Sequence, residues 1–134
     1  MAATLKQVRD ALASNLSSVA GVTVYAHTMI NPVPPFLWVR PPDGELYVDF
    51  EQAMGQNLFL WTMIVEAACG AANEADAQDA FSNLFSGVKA AIETDKTLGG
   101  LGRLKVVGAQ NYRASATPEG ETLVSQEWVT EIFA

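Results

Sequence analysis

Leu5, Val8, Leu12, Leu16 and Val19 recur at intervals of three and four residues, which aligns them along one side of a helix, while Lys6, Arg9, Asp10, Asn15 and Ser18 fall elsewhere. Thr4 followed three positions later by Gln7 has the form of a capping box. The threonine hydroxyl can take one orphan amide of the first turn while the glutamine reaches back, so a helix should begin here and stop at Gly21. The period then shortens to two. Val22 and Val24 alternate with Thr23 and Tyr25 as a short strand, and Asn31-Pro32-Val33-Pro34-Pro35 follows as a turn whose prolines remove donors and fix φ.

Phe36 to Arg40 reads as the next strand, closed by Pro41-Pro42-Asp43-Gly44, and Glu45 to Phe50 reads as a third strand returning as a hairpin. Prolines on both sides of Phe36 to Arg40 suggest an edge strand or one entering from a loop. From Gln56 to Cys69 both parities are apolar. One carries Leu58, Leu60, Ile64 and Ala68 with Glu66 as its charge, and the other carries Phe59, Trp61, Met63, Val65 and Ala67. A strand of that kind must be covered on two sides.

Asn73 to about Thr94 has helical periodicity, with Asn73 as N-cap, Glu74, Asp76 and Asp79 near the positive end, and a buried stripe of Ala77, Phe81, Leu84, Phe85, Val88 and Ile92. Gly87 inside it marks close packing or a tolerated glycine. Asp95-Lys96-Thr97-Leu98-Gly99-Gly100 closes this helix with a charged, glycine-paired turn. Leu104 to Tyr112 and an alternating Leu123 to Phe133 are the last strands, separated by a turn at Thr117-Pro118-Glu119-Gly120. The element order α-β-β-β-β-α-β-β predicts a single α+β domain over residues 1–134. Its sheet should be mostly antiparallel, of about six strands, with two helices packed on one face.

At 134 residues the chain is long enough for one self-sufficient core. Fifteen acidic residues against eight basic ones leave a charge of -7, which disfavours adhesion to nucleic acid or to anionic membranes. The opening MAATLKQVRD lacks the apolar centre of a signal peptide, and no apolar run approaches the roughly 18 residues of a membrane span, so a cytoplasmic site of synthesis and no membrane partner are expected. The single cysteine, Cys69, lies among Ala67, Ala68 and Gly70 and reads as a small buried hydrophobe.

Candidate chemistry is sparse. The single histidine, His27, has no Cys, Asp or Glu at metal-ligand spacing, so neither a metal site nor a nucleophilic triad is expected, and no cofactor or catalytic residue is assigned. Gly99-Gly100-Leu101-Gly102 leaves a helix and enters a strand, the reverse of a phosphate-binding loop. Asp43, Glu45, Asp49 and Glu51 have the odd spacing that places four carboxylates on one side of a regular strand, which reads as a solvated face. Lys96, Arg103, Lys105 and Arg113 gather half of the chain's eight basic residues, compatible with nucleic acid or with the acidic surface of a neighbouring subunit. Trp38, Trp61 and Trp128 all fall on expected strands. They are core residues, or they anchor a subunit interface, because two helices blanket only one face of such a sheet.

The sequence of pieces resembles the tail terminator proteins of long-tailed, non-contractile bacteriophages. The matching stretches are Leu5 to Leu16, Val22 to Tyr25, Pro34-Pro35, Leu58 to Ala67, Ala77 to Gly100 with its Thr97-Leu98-Gly99-Gly100, and Leu123 to Phe133, nearly the whole chain. The resemblance implies a non-enzymatic virion protein at the head-tail junction. Such a protein forms a closed ring of its own copies, commonly a hexamer, caps the tube built by the major tail protein, and meets the head connector or head-closure protein. It places the Asp95 to Gly100 turn near subunit contacts. Asp43, Glu45, Asp49 and Glu51 are candidates, by charge, for a lumen through which DNA passes. A head-closure or head-tail adaptor protein is the nearest rival, and a small α+β enzyme or ligand-binding domain the more distant one.

Overall fold

The computed structural model describes residues 3–30, 32–50 and 58–134. Along the chain run α1 (Leu5–Leu16), β1 (Thr23–Tyr25), β2 (Phe36–Arg40), β3 (Val48–Asp49), β4 (Leu60–Ala71), α2 (Glu74–Phe85), α3 (Val88–Ile92), a 3₁₀ turn (Glu93–Asp95), β5 (Arg103–Ala116) and β6 (Thr122–Phe133). The protein is an α+β domain with a six-stranded sheet ordered β1-β2-β4-β6-β5, with β3 also on β4. All pairings are antiparallel except β1 with β2. That one parallel pair follows from the proline-rich 26–35 stretch, which carries the chain back to the start of the sheet before β2 begins.

Both expected helix starts are present. Thr4 and Gln7 form the reciprocal capping box, with Gln7 N donating to Thr4 Oγ1 at 3.2 Å and Thr4 N to Gln7 Oε1 at 2.8 Å. Asn73 caps α2 by accepting from Asp76 N at 2.9 Å. Two ends differ from expectation. α1 stops at Leu16, well short of Gly21, and the 73–94 segment is not one helix but breaks at Ser86-Gly87 into α2 and α3. Asn15 ties the helices together. Its buried amide donates to Ile92 O at 2.8 Å and Asp95 O at 3.0 Å, satisfying carbonyls that a helix end leaves open and fastening α1 to the end of α3.

The core lies between the helices and one face of the sheet. Val8, Leu12 and Leu16 from α1, Phe81 and Phe85 from α2 and Val88 and Ile92 from α3 meet Leu37, Val39, Met63, Val65, Ala67, Val124, Trp128 and Ile132. Burial of each such large side chain stabilises the fold by about 1.5–3 kcal/mol. β4 is central and pairs with β6 over its full length, from Leu60↔Phe133 to Ala71↔Thr122. Cys69 belongs to this core, and burial pushes its thiol pKa up. Gly102 is required by a close approach, since a Cβ there would stand 1.9 Å from Phe133 O.

The stretch from Pro41 to Phe50 departs most from the sequence reading. β2 and β3 do not form a hairpin. Both run antiparallel to β4 along the same edge, with Arg40 opposite Ile64 and Val48 opposite Trp61, so the intervening residues are an excursion from one interrupted edge strand. Pro41 and Pro42 cannot donate to a ladder, which is why the chain leaves the sheet there. The expected strand from Glu45 to Phe50 therefore shrinks to Val48–Asp49. Of the expected strand from Gln56 to Cys69, Gln56 and Asn57 lie outside the described residues, Leu58 and Phe59 precede the strand, and Leu60 to Cys69 fall in β4, which runs on to Ala71.

Asn15→Ala removes the buried amide donor to Ile92 O and the one to Asp95 O, which keeps its bond from Leu98 N at 3.1 Å, and is expected to cost about 1–2 kcal/mol. The check is a lowered urea midpoint with an unchanged slope.

Candidate functional site

The face of the sheet turned away from the helices carries the most organised polar cluster of the molecule. Cross-strand register places Trp38 opposite Glu66, and Glu66 opposite Glu127. Two carboxylates directly opposite one another repel. Arg40 resolves this. Its Nε lies 3.2 Å from Glu66 Oε1 and its terminal nitrogen 2.6 Å from Glu127 Oε2, with the side chain only 14% exposed. Trp38 Nε1 donates to Glu66 Oε1 at 2.7 Å.

The outer strand completes the cluster through a bulge. Pairing of β5 with β6 slips between Gln110 and Arg113, and Asn111 there adopts a φ of +55°, in the left-handed region that asparagine tolerates better than most residues. The bulge turns Asn111 toward the open face, where its Nδ2 donates to Glu127 Oε1 at 2.9 Å, beside Gln110 Nε2 at 3.1 Å. Burial by itself raises the Glu127 pKa. The hydrogen bonds from Asn111 and Gln110 and the nearby Arg40 charge together outweigh it, and the net shift is downward.

Around this clamp is a basin of about 230 Å³, lined by Arg40, Asp43, Glu45, Gln110, Arg113 and Glu127 among others. Both Glu127 oxygens are already engaged, so the carboxylate is a bridge between strands and not a poised base. A second depression of about 340 Å³ lies on the helix side, where Phe81 stacks on Trp128 at 6.4 Å and meets Tyr112 edge-on at 5.9 Å. Among the described residues no group of three His, Cys, Asp or Glu side chains is placed to hold a metal ion, and no helix is long and apolar enough to cross a membrane.

The sequence-expected residues scatter. Trp61 and Trp128 are core residues, with Trp61 Nε1 donating to Ala134 O at 3.3 Å, whereas Trp38 stands half-buried on the open face. The four carboxylates do not share one strand face. Asp43 and Glu45 sit in the excursion at the rim of the basin, Asp49 is on β3, and Glu51 lies outside the described residues.

The Asp95 to Gly100 turn is organised from within. The Asp95 carboxylate accepts from Thr97 Oγ1 at 2.6 Å, Thr97 N at 3.0 Å and Gly99 N at 2.8 Å, and these bonds lower its pKa in that order of residues: Thr97 side chain, Gly99, Thr97 backbone. Leu98 is buried in the core, while Lys96, Thr97, Gly99 and Gly100 are exposed. His27 is exposed in its loop. Sequence reasoning missed Arg40, Glu66, Glu127 and Asn111. A charged residue on each of three apolar strands, Arg40 at the end of β2 and Glu66 and Glu127 inside β4 and β6, was the available signal, without the register that joins them.

Known protein families and curated proteins were both compared with the chain, and neither comparison gave a match.

Arg40→Met keeps the side-chain stem but leaves Glu66 and Glu127 facing each other, and should destabilise by about 3 kcal/mol, most of it recovered when both glutamates are also changed to glutamine. Glu127 has a folded pKa below its ordinary 4.5, so its contribution is complete above that value and fades as pH falls through the folded pKa. Stability curves should therefore fall less steeply below about pH 5 in Glu127→Gln than in the parent, as chemical denaturation at stepped pH would register.

Proposed function

We propose that this chain is a structural protein of a bacteriophage tail, a tail terminator. In this reading its copies close into a ring on the end of the tail tube, stop addition of tube protein and offer the head connector its docking surface. The observation that carries the reading is the two-layer build of the domain. One face of a sheet with strands of 12 and 14 residues is packed by helices, and the other is left without a helical layer. Its most ordered polar group is a clamp whose donors and acceptors serve one another.

Such a face suits assembly better than turnover. A sheet of this size is stable when both sides are covered, and a second protein can supply the missing layer. The order of elements, α-β-β-β-β-α-β-β with the Thr97-Leu98-Gly99-Gly100 turn after the interrupted helix, agrees with the terminator resemblance in the sequence. Charge supports it as well: at -7 the protein has little general affinity for the DNA that would traverse a ring. The ring would be assembled in the host cytoplasm and remain in the virion at the head-tail junction, with no enzymatic step.

Deletion of the gene should give tail tubes that run beyond normal length, seen by electron microscopy of lysates. Normal-length free tails beside heads that leak DNA would instead assign the adaptor role, and wild-type particles would remove the protein from tail completion altogether.

A further inference from the structure

A cleft of about 330 Å³ lies at the end of the sheet where β4 runs out and β6 begins, sharing no lining residue with the basin or the aromatic depression. Several parts of the chain build it. Pro34 and Pro35 come from the stretch before β2, Cys69 and Gly70 from β4, and Ala80 and Leu84 from α2. Leu123 of β6 and the turn that precedes it close the other side. The floor is uncharged. The Cys69 thiol is engaged with Ala77 O at 3.6 Å, and Gly70 has no side chain to fill the space.

Two carboxylates border the cleft. Glu119 and Glu121 are exposed on the link between β5 and β6. That link is fixed from within: Thr117 N donates to Glu121 O at 2.8 Å, Gly120 N to Thr117 O at 3.0 Å, and Glu121 N to Thr117 Oγ1 at 3.1 Å. A Cβ on Gly70 would come 3.8 Å from Glu121 Oε2 and 3.9 Å from Leu123 Cδ1, so carboxylate and apolar wall border the same space.

Neither glutamate forms an ion pair among the described residues. The basin on the open face differs in its charge balance. There Arg40 pairs with Asp43 and Glu127, and Arg113 adds a second cation, whereas the described lining of the cleft holds two anions and no Lys, Arg or His.

We propose that this cleft is a docking site for a partner protein that inserts a lysine or arginine side chain, its aliphatic stem lying along Pro35, Leu84 and Leu123 and its cationic head meeting Glu119 and Glu121. The inference is independent of the tail reading and holds for whichever assembly the chain joins. Charge complementarity selects the head. Two unpaired carboxylates on one turn repel, and a cation between them turns that repulsion into attraction. The apolar walls select the stem, because a long basic side chain buries its methylenes while its charge stays at the water line, which a bare metal ion does not do.

The surroundings select a protein over a free amine. Val33, next in the chain to Pro34, is 68% exposed, and Pro34 and Pro118 are exposed as well. A small amine leaves this apolar rim in water, whereas a protein surface that carries the side chain covers it. Because the turn already holds its shape, little ordering is left to oppose binding.

The test is an amide NMR titration of the full chain with a capped pentapeptide, acetyl-Val-Ala-Lys-Ala-Val-amide. Its counterpart with norleucine in place of lysine and n-butylammonium chloride, the lysine side chain without a backbone, are the comparisons. The lysine peptide should give saturable shifts confined to Gly70, Ala80, Leu84, Leu123 and residues 117–121, at least fivefold weaker in 0.5 M than in 0.05 M salt. The norleucine peptide and n-butylammonium should each bind at least tenfold more weakly. Glu119→Gln with Glu121→Gln, its fold established by an unchanged spectrum elsewhere, should lose at least tenfold in affinity, while Asp43→Asn with Glu45→Gln should bind like wild type. The absence of saturable shifts at the cleft overturns the proposal, as does a folded Glu119→Gln, Glu121→Gln variant that binds like wild type. Equal binding of the norleucine peptide overturns the cation, and equal binding of n-butylammonium assigns the cleft to a free amine instead. Shifts of the same residues with protein concentration alone, lost in the double glutamine variant, replace the partner protein with a second copy of this chain.

Discussion

The pairing of β4 with β6 is the constraint on which the other features hang. It runs from Leu60↔Phe133 to Ala71↔Thr122, and a backbone pair between Phe59 and Ala134 extends it by a further step. Its register sorts the side chains of both strands at once. Met63, Val65, Ala67, Val124, Trp128 and Ile132 go to the helices, and Glu66 and Glu127 go to the other face. A slip by one residue would exchange these sets, placing two carboxylates in the core and its apolar residues in water. The helices follow from that sorting, since α1, α2 and α3 have an apolar face to cover only because the register provides one.

The same register creates the tension that the open face has to resolve. Glu66 and Glu127 are brought opposite one another on neighbouring strands, and Arg40 arrives from β2 to lie between them. An arginine suits the position because its planar fork reaches two carboxylates in fixed directions, which a lysine ammonium does not. Asn111 and Gln110 then tie the outer strand into the cluster, and the bulge that makes this possible also interrupts the free edge of β5. Bulges and charged side chains on an exposed edge discourage indiscriminate strand pairing, so β5 is guarded along its backbone while its side chains remain available.

Function in this reading comes from surfaces and not from a reactive centre. A two-layer domain with one sheet face free of helices offers surface on which a further protein layer can pack. The Asp95 to Gly100 turn enters this picture as a rigid joint. Asp95 organises its backbone and Leu98 anchors it in the core, so the exposed Thr97, Gly99 and Gly100 hold a fixed shape without help from a partner.

Features governed by neighbours in sequence were legible in the sequence. The capping box at Thr4 and Gln7, the Asn73 cap, the helical stripe through Phe81, Val88 and Ile92, the turn at Thr117 to Gly120 and the α+β class all depend on contacts within a few residues, where period and residue type are sufficient. The tertiary structure decided what depends on distant partners. Whether Pro41-Pro42 begins a hairpin or an excursion is settled by the edge of β4 that β2 and β3 share, and Asn15 of α1 finds its acceptors some 80 positions away, at the end of α3 and in the 3₁₀ turn after it. Arg40 and Glu127 are 87 positions apart, and nothing local to either marks them as a pair. Alternation along a strand tells which residues share a face but not which strand lies beside it. The clamp and the basin of the open face became visible only once the strands were laid in order.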